Sequence, residues 1–169
     1  MKRRTGILGV LIAILILGIG YAAISSVQLS VQGNGTINAD QSNFQVQFDL
    51  DGDQPTKSTS ATGATLEATY TNGTRATIKA ENFRKAGDTA TFVYTIVNKS
   101  ETLDALLKKP VITNDNEDYF TVTAELANTE LKAQTGKTTL TVTVKAIKTP
   151  VEENEEANIS VKFSADPQN

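Results

Sequence analysis

The chain contains no cysteine, no histidine and no tryptophan in its 169 residues. Without cysteine it forms neither disulfide bonds nor thiolate metal sites, and it has no cysteine nucleophile. Without histidine it lacks the commonest general base, the usual zinc ligand and the Ser-His-Asp triad. Because these absences remove most familiar routes to catalysis, we expect a protein that is not an enzyme and that uses no cofactor.

Clustered positive charge is missing from most of the chain. The formal net charge is −3, and the basic residues beyond the N-terminus are scattered among acidic and polar ones. Proteins that bind nucleic acid concentrate lysine and arginine on one face or along one helix. We therefore expect no nucleic-acid partner.

One long apolar run lies at the N-terminus. Positions 2–4 are basic (KRR), and residues 7–24 carry no charge. A basic start, an apolar stretch and small residues after it are together typical of a secretory signal peptide. Small residues occupy the positions that a signal peptidase reads if cleavage falls after Ala22 or after Ser25.

The same run has two other interpretations. As an uncleaved anchor, residues 7–24 would form a helix of about 27 Å, close to the ~30 Å of a bilayer core. As a type IV prepilin, the chain would be cleaved after Gly6, although Leu11 occupies the position where such helices usually carry an acidic residue. The positive-inside rule places the rest of the chain outside the membrane. We predict that residues 1–25 are a signal peptide or membrane anchor, and that the protein is secreted or held at the cell surface.

The remaining residues, 26–169, alternate between apolar and polar side chains with a period of two. This period predicts half-buried β-strands. The clearest predicted strands are residues 66–70, 76–80, 89–98, 119–126, 138–147 and 157–165. Asn72-Gly73 separates the first two and predicts a hairpin. About eight or nine strands with frequent turns favour a single all-β domain, a β-sandwich or jelly roll.

Two segments depart from this pattern. Residues 102–109 (TLDALLKK) predict a helical turn that Pro110 limits. Residues 53–63 (DQPTKSTSATG) contain few apolar side chains and predict an exposed loop.

One group of carboxylates resembles part of a calcium loop. Asp49, Asp51 and Asp53 alternate around Gly52, and calcium prefers clustered oxygens of this kind. The EF-hand spacing fails, because no glutamate follows at the twelfth position and the glycine comes too early. The pattern favours a solvated turn, and the sequence leaves calcium binding open. No other motif points to a catalytic, cofactor-binding or metal-binding residue.

Three segments resemble one known family. They are residues 18–37 (GIGYAAISSVQLSVQGNGTI), residues 82–105 (NFRKAGDTATFVYTIVNKSETLDA) and residues 158–163 (NISVKF). Together they resemble the TasA/camelysin family of secreted Gram-positive surface and biofilm-matrix proteins. Ala86 occupies a turn position where proline is common in that family. The family also carries a protease label, which the lack of histidine and cysteine argues against.

The resemblance implies a jelly-roll domain and a fibre subunit that assembles by donor-strand exchange. In such an assembly the N-terminal segment of one copy completes the sheet of the next, giving a head-to-tail homopolymer. Residues 24–32 would be the donor strand, with Val27, Leu29 and Val31 filling a groove. The sequence equally allows this segment to be the first strand of its own sheet. Two other functions stay open: an anchored or secreted β-sandwich binding module, and a type IV pilin-like subunit.

The first prediction concerns the N-terminus of the exported protein. Intact mass and N-terminal sequencing of protein recovered from medium and cell surface should give a start between Ala23 and Ser26. A chain that keeps residues 7–24 and partitions into lipid would identify an anchor instead. A start at residue 7 would identify a prepilin.

Overall fold

The computed structural model describes residues 13–19, 44–149 and 157–168. These residues form strands and contain no helix. The strands are β1 (Ala13–Ile19), β2 (Val46–Phe48), β3 (Thr56–Thr59), β4 (Thr65–Asn72), β5 (Arg75–Glu81), β6 (Thr89–Asn98), β7 (Asp104–Leu107), β8 (Val111–Asn114), β9 (Phe120–Leu126), β10 (Glu130–Leu131), β11 (Lys137–Ala146), β12 (Ala157–Phe163) and β13 (Ala165–Gln168).

The strands pair into three sheets around one core. The first sheet has the order β4-β5-β1-β12-β8, and the second has the order β2-β6-β11-β9. In the second sheet, β3 pairs with the same strand β6 as β2 does, along a different part of its length. A small third sheet has the order β10-β7-β13. The domain is all-β, and its packed sheets are consistent with a β-sandwich.

The ladder between β6 and β11 is the longest in the structure. It runs antiparallel from the pair Lys137 and Val97 to the pair Lys145 and Thr89. Side chains alternate along both strands, so that one row is buried and the other is half-buried or exposed, except at Val97, which is also buried. The buried rows hold large apolar side chains, and the other rows are rich in threonine, which suits a pleated and partly solvated face. This alternation explains why both strands were predictable from the sequence.

Four aromatic rings join the two large sheets. Phe48 and Tyr94 come from the second sheet, while Tyr70 and Phe163 come from the first. The ring of Phe48 lies 5.4 Å from that of Tyr70, 5.6 Å from that of Tyr94 and 5.8 Å from that of Phe163, measured between centroids. Tilted and edge-on ring pairs at these distances add to the free energy gained from burial. The cluster therefore holds the sheets together at their centre.

A buried amide at the end of β6 joins two neighbouring segments of the chain. The side chain of Asn98 is fully buried. Its Nδ2 donates to the carbonyl oxygens of Leu103, at 2.9 Å, and Leu131, at 3.2 Å. Its Oδ1 accepts from the backbone N–H of Ser100 at 3.0 Å. Ser100 and Leu103 lie in the loop between β6 and β7, and Leu131 lies on β10, so one side chain joins this loop to β10.

The apolar N-terminal run differs from the predicted helix where the structure describes it. Residues 13–19 form strand β1, whereas residues 7–12 and 20–24 lie outside the described residues. Among the described residues, no helix is both long and apolar enough to cross a bilayer. A helix in the precursor at the membrane stays a prediction.

Two local predictions were wrong. The segment predicted as a helical turn contains β7, because it pairs on both sides with β10 and β13. The segment predicted as a loop contains β3, although all four residues of that strand are exposed. Its backbone pairs with β6, and the sequence shows no apolar alternation because no face of this edge strand is buried. Short strands of this kind explain why there are more strands than predicted.

The second prediction tests the buried amide. Asn98→Ala should lower the free energy of unfolding by about 2 kcal/mol or more, since it leaves a buried N–H and two carbonyls without their partner. Denaturant unfolding followed by circular dichroism measures the change. Asn128→Ala, at an exposed position, is the matched control and should stay within about 0.5 kcal/mol of the parent. Equal losses in both variants would contradict the role given to Asn98.

Candidate strand-binding site

The N-terminal strand β1 lies between two strands from distant parts of the chain. It pairs antiparallel with β5, where Leu15 is opposite Ile78 and Leu17 is opposite Ala76. It pairs parallel with β12 along its whole length, from Ala13 opposite Ala157 to Ile19 opposite Phe163. We call the space between β5 and β12, which β1 occupies, the strand slot.

Both walls of the strand slot follow from alternating sequences. In β5 (RATIKAE) the three apolar side chains are buried, and in β12 (ANISVKF) four are buried. The buried set is Ala76, Ile78, Ala80, Ala157, Ile159, Val161 and Phe163. The residues between them are charged or polar, and most are exposed. Each wall therefore has one face toward the core and one toward solvent.

The register of β1 divides its positions into two sets. Leu15 and Leu17 are opposite the buried residues Ile159 and Val161, whereas Ile16 is opposite the half-buried Ser160. Paired positions in a sheet share a face, so positions 15 and 17 of the slot lie beside the buried row of β12, and position 16 lies beside its other row. A strand in this slot needs apolar residues at alternate positions only.

A strand in the slot is held mainly by backbone hydrogen bonds to β5 and β12. A strand without a neighbour presents unpaired N–H and C=O groups, and an added strand satisfies them. Here both β5 and β12 would become edges if β1 were absent, because β1 is what joins them in the sheet. No short turn links β1 to either wall, since about 56 residues separate it from β5 and more separate it from β12. The place of β1 in the sheet is therefore set by its pairing with β5 and β12 and not by a tight turn.

A tyrosine from the second sheet contacts one wall of the strand slot. The hydroxyl of Tyr94 donates to the backbone oxygen of Thr77 on β5 at 3.4 Å. The side chain is fully buried, and burial raises the pKa of Tyr94 far above its ordinary value, so the hydroxyl stays protonated. Tyr70, whose pKa burial also raises, accepts from the N–H of Thr95 at 3.0 Å. The first bond joins the wall β5 to the second sheet, and the second joins the neighbouring strand β4 to it.

The predicted donor residues Val27, Leu29 and Val31 lie outside the described residues. Their role as a donor strand stays a prediction. What sequence reasoning missed was the position of the slot, because the pairing of β5 with a strand next to β12 is not encoded in any local pattern. The alternation in β5 and β12 was visible, but it does not say which strands are neighbours.

The three aspartates of the suggested calcium loop do not converge. Asp49 is buried, and its carboxylate forms an ion pair with Lys137 at 2.6 Å. Asp51 forms an ion pair with Lys99, whose hydrogen bond lowers the pKa of Asp51. Asp53 is exposed. Within residues 13–19, 44–149 and 157–168, no group of three histidines, cysteines or carboxylates is arranged to hold a metal ion.

One shallow pocket of about 350 Å³ lies between β8 and β9. Its lining residues are Ile112, Asn114, Glu117, Phe120, Thr121 and Val122. Glu117 is the single titratable group in this lining. The amide of Asn114 donates to the carbonyl of Phe120 at 2.7 Å, so it is occupied in holding the loop between the strands. The pocket offers no pair of groups for acid–base chemistry.

Comparisons with models of protein families, with curated proteins and with solved structures find no match to this chain. The family suggested by the three short segments therefore stays a prediction.

The third prediction tests whether β1 protects its neighbours. Leu15→Pro in the full-length chain removes a backbone N–H and disfavours pairing at the centre of the strand slot. Amide hydrogen exchange in β5 and β12 should accelerate by about tenfold or more, as expected when local opening becomes easier. Exchange in β6 and β11 should change little, because these strands pair with each other. Uniform acceleration across both sheets would mean global destabilisation and would contradict a local role.

Proposed function

We propose that the protein is an exported structural surface protein, a biofilm-matrix fibre subunit that assembles by donor-strand exchange. In this proposal the domain is a jelly roll, and the N-terminal segment of one copy fills the strand slot of the next. The partner is a second copy of the same chain, and the membrane is met during export or through residues 7–24. The protein acts at the cell surface or in the extracellular matrix and has no catalytic role.

The strand slot is the observation that supports this proposal. It lies in the middle of a sheet, between Ala76, Ile78 and Ala80 on one side and the buried row of β12 on the other. Its occupant comes from the N-terminal region and has no short connection to either wall. A site of this kind offers two open edges and a groove for alternate side chains, which is the chemistry of strand addition.

An open head-to-tail contact gives a filament. When the segment that leaves one copy enters a different surface of the next, the interface is heterologous, and it does not close unless the rotation happens to form a ring. The donor segment and the strand slot are different surfaces of one chain. Repetition of the same contact would therefore extend a fibre.

A second candidate is a monomeric β-sandwich binding module, secreted or held by residues 7–24. The occupation of the strand slot by the chain's own strand β1 favours it, because a chain that completes its own sheet needs no neighbour. The two candidates differ in the fate of the slot once the N-terminal segment has been processed.

The fourth prediction separates these candidates. A chain that begins at Ala23 should form filaments visible by negative-stain electron microscopy. The triple variant Val27→Ser, Leu29→Ser, Val31→Ser should abolish them, since it removes the apolar side chains that would fill the slot.

The matched control changes the intervening positions instead. Gln28→Ser, Ser30→Thr and Gln32→Ser alter the solvent side of the same segment and should leave the filaments intact. Monomers from the unmodified Ala23 chain, with a folded β spectrum, would reject the fibre proposal and leave the binding module.

A further inference from the structure

We propose that two N-terminal segments of the chain compete for the strand slot. The uncleaved precursor is then capped, which means that its own strand β1 fills the slot and prevents assembly. The first segment is residues 15–19, which fills the slot within its own chain. The second is residues 27–31, which fills the slot of another copy in a register shifted by twelve positions. The inference rests on the proposed function and adds its regulation and its register.

Strand β1 lies before every predicted signal-peptidase cleavage site in the chain. Strand β1 ends at Ile19, and every predicted cleavage by a signal peptidase falls at Ala22 or beyond. Cleavage therefore removes the whole of β1 from the domain. The walls β5 and β12 then lose their shared neighbour, and an unfilled slot exposes two strand edges and part of the core at once. After cleavage, β5 and β12 therefore need another strand to pair with.

The alternation of the second segment suits the same site. Residues 27–31 read VQLSV, with apolar residues at every other position. The slot needs apolar residues on the core side, opposite Ile159, Val161 and Phe163, and polar residues are better on the other side. In β1 the positions opposite the polar residues Asn158 and Ser160 are Ile14 and Ile16. The second segment replaces such residues with polar ones, so it fits a mature protein in water better.

A shift of twelve positions gives the best match between the two segments. A shift must be even, because a slip of one residue turns the apolar set to the wrong side. With a shift of twelve, Val27, Leu29 and Val31 take the positions of Leu15, Leu17 and Ile19. Ser30 then takes the position of Gly18, so one small residue replaces another.

The neighbouring even shifts fit less well. With a shift of fourteen, Gly33 takes the position of Ile19, opposite the buried Phe163. That pairing loses an apolar contact at the end of the groove. With a shift of ten, Ser25 takes the position of Leu15, between Ile78 and Ile159. A serine there places a hydroxyl at a core-side position, which costs free energy unless it finds a partner.

The order of events follows from local concentration. A segment tethered to its own domain meets the slot at a high effective concentration, commonly millimolar for a linker that can span the distance. Another copy at lower concentration does not displace it. The full-length chain is therefore capped, and release of residues 1–22 is the step that allows assembly.

Engineered disulfides read the register directly, because the chain has no native cysteine. Position 16 of the slot is opposite Thr77 in an antiparallel pair, where Cα atoms lie about 4.5–5.5 Å apart, within reach of a disulfide. In the chain that begins at Ala23, Gln28→Cys with Thr77→Cys tests the shift of twelve. Ser30→Cys with Thr77→Cys tests the shift of fourteen at the same place in the slot.

The expected result is a ladder of covalent oligomers on a non-reducing gel from the Gln28 pair, and little from the Ser30 pair. In the full-length chain, Ile16→Cys with Thr77→Cys should give a bond within one molecule and no ladder. Full-length protein without cysteines should remain monomeric by light scattering under conditions in which the Ala23 chain polymerises. Thermal melts of each reduced variant show that the domain still folds.

Each failure has its own signature. A ladder from the Ser30 pair alone overturns the register, while the proposed fibre stands. Filaments from the full-length chain overturn the capping, again without touching the fibre. If the cysteine-free Ala23 chain forms no filaments at all, the proposed function falls, and the competition for the slot falls with it.

Discussion

The pairing of β1 with both β5 and β12 is the constraint on which the first sheet depends. Buried or interior backbone N–H and C=O groups must find partners, and these two walls find theirs through one strand inserted between them. Without that strand the sheet separates into a hairpin, β4 with β5, and a second pair, β12 with β8. The core beneath would then be covered by two fragments instead of one continuous layer.

The second sheet is less dependent on distant segments of the chain. The ladder between β6 and β11 is long and alternates along most of its length, and its buried rows supply Phe92, Tyr94, Leu140 and Val142 to the core. Two buried polar side chains fix its ends. Asn98 binds the loop after β6 and strand β10. Asp88 accepts from the N–H groups of Arg84, at 2.8 Å, and Lys85, at 3.2 Å, in the turn before β6. The first sheet, which contains the strand slot, packs against this second sheet.

How much was predictable depends on whether the information was local. Strands β6, β9, β11 and β12 were predicted because one face of each is more buried than the other, which gives their sequences a period of two. The hairpin at Asn72-Gly73 was predicted because its turn depends on adjacent residues only. Strand β7 was misread as helical because DALL has no alternation that distinguishes the two. The strand slot was invisible, since it arises from pairings between residues far apart in the chain. The burial of Asp49 was missed for the same reason: its partner Lys137 lies on another strand.

The parallel pairing of the first described strand with one of the last also bears on how the molecule reaches its native state. Contacts between residues 13–19 and 157–163 close nearly the entire chain into one loop, and folding slows as the mean sequence separation of contacts grows. The first sheet cannot be finished until the final strands have been synthesised. Completion of this sheet is therefore delayed until the end of synthesis. The same delay leaves apolar strands uncovered for longer, so such a chain would benefit from a chaperone that holds it on the way.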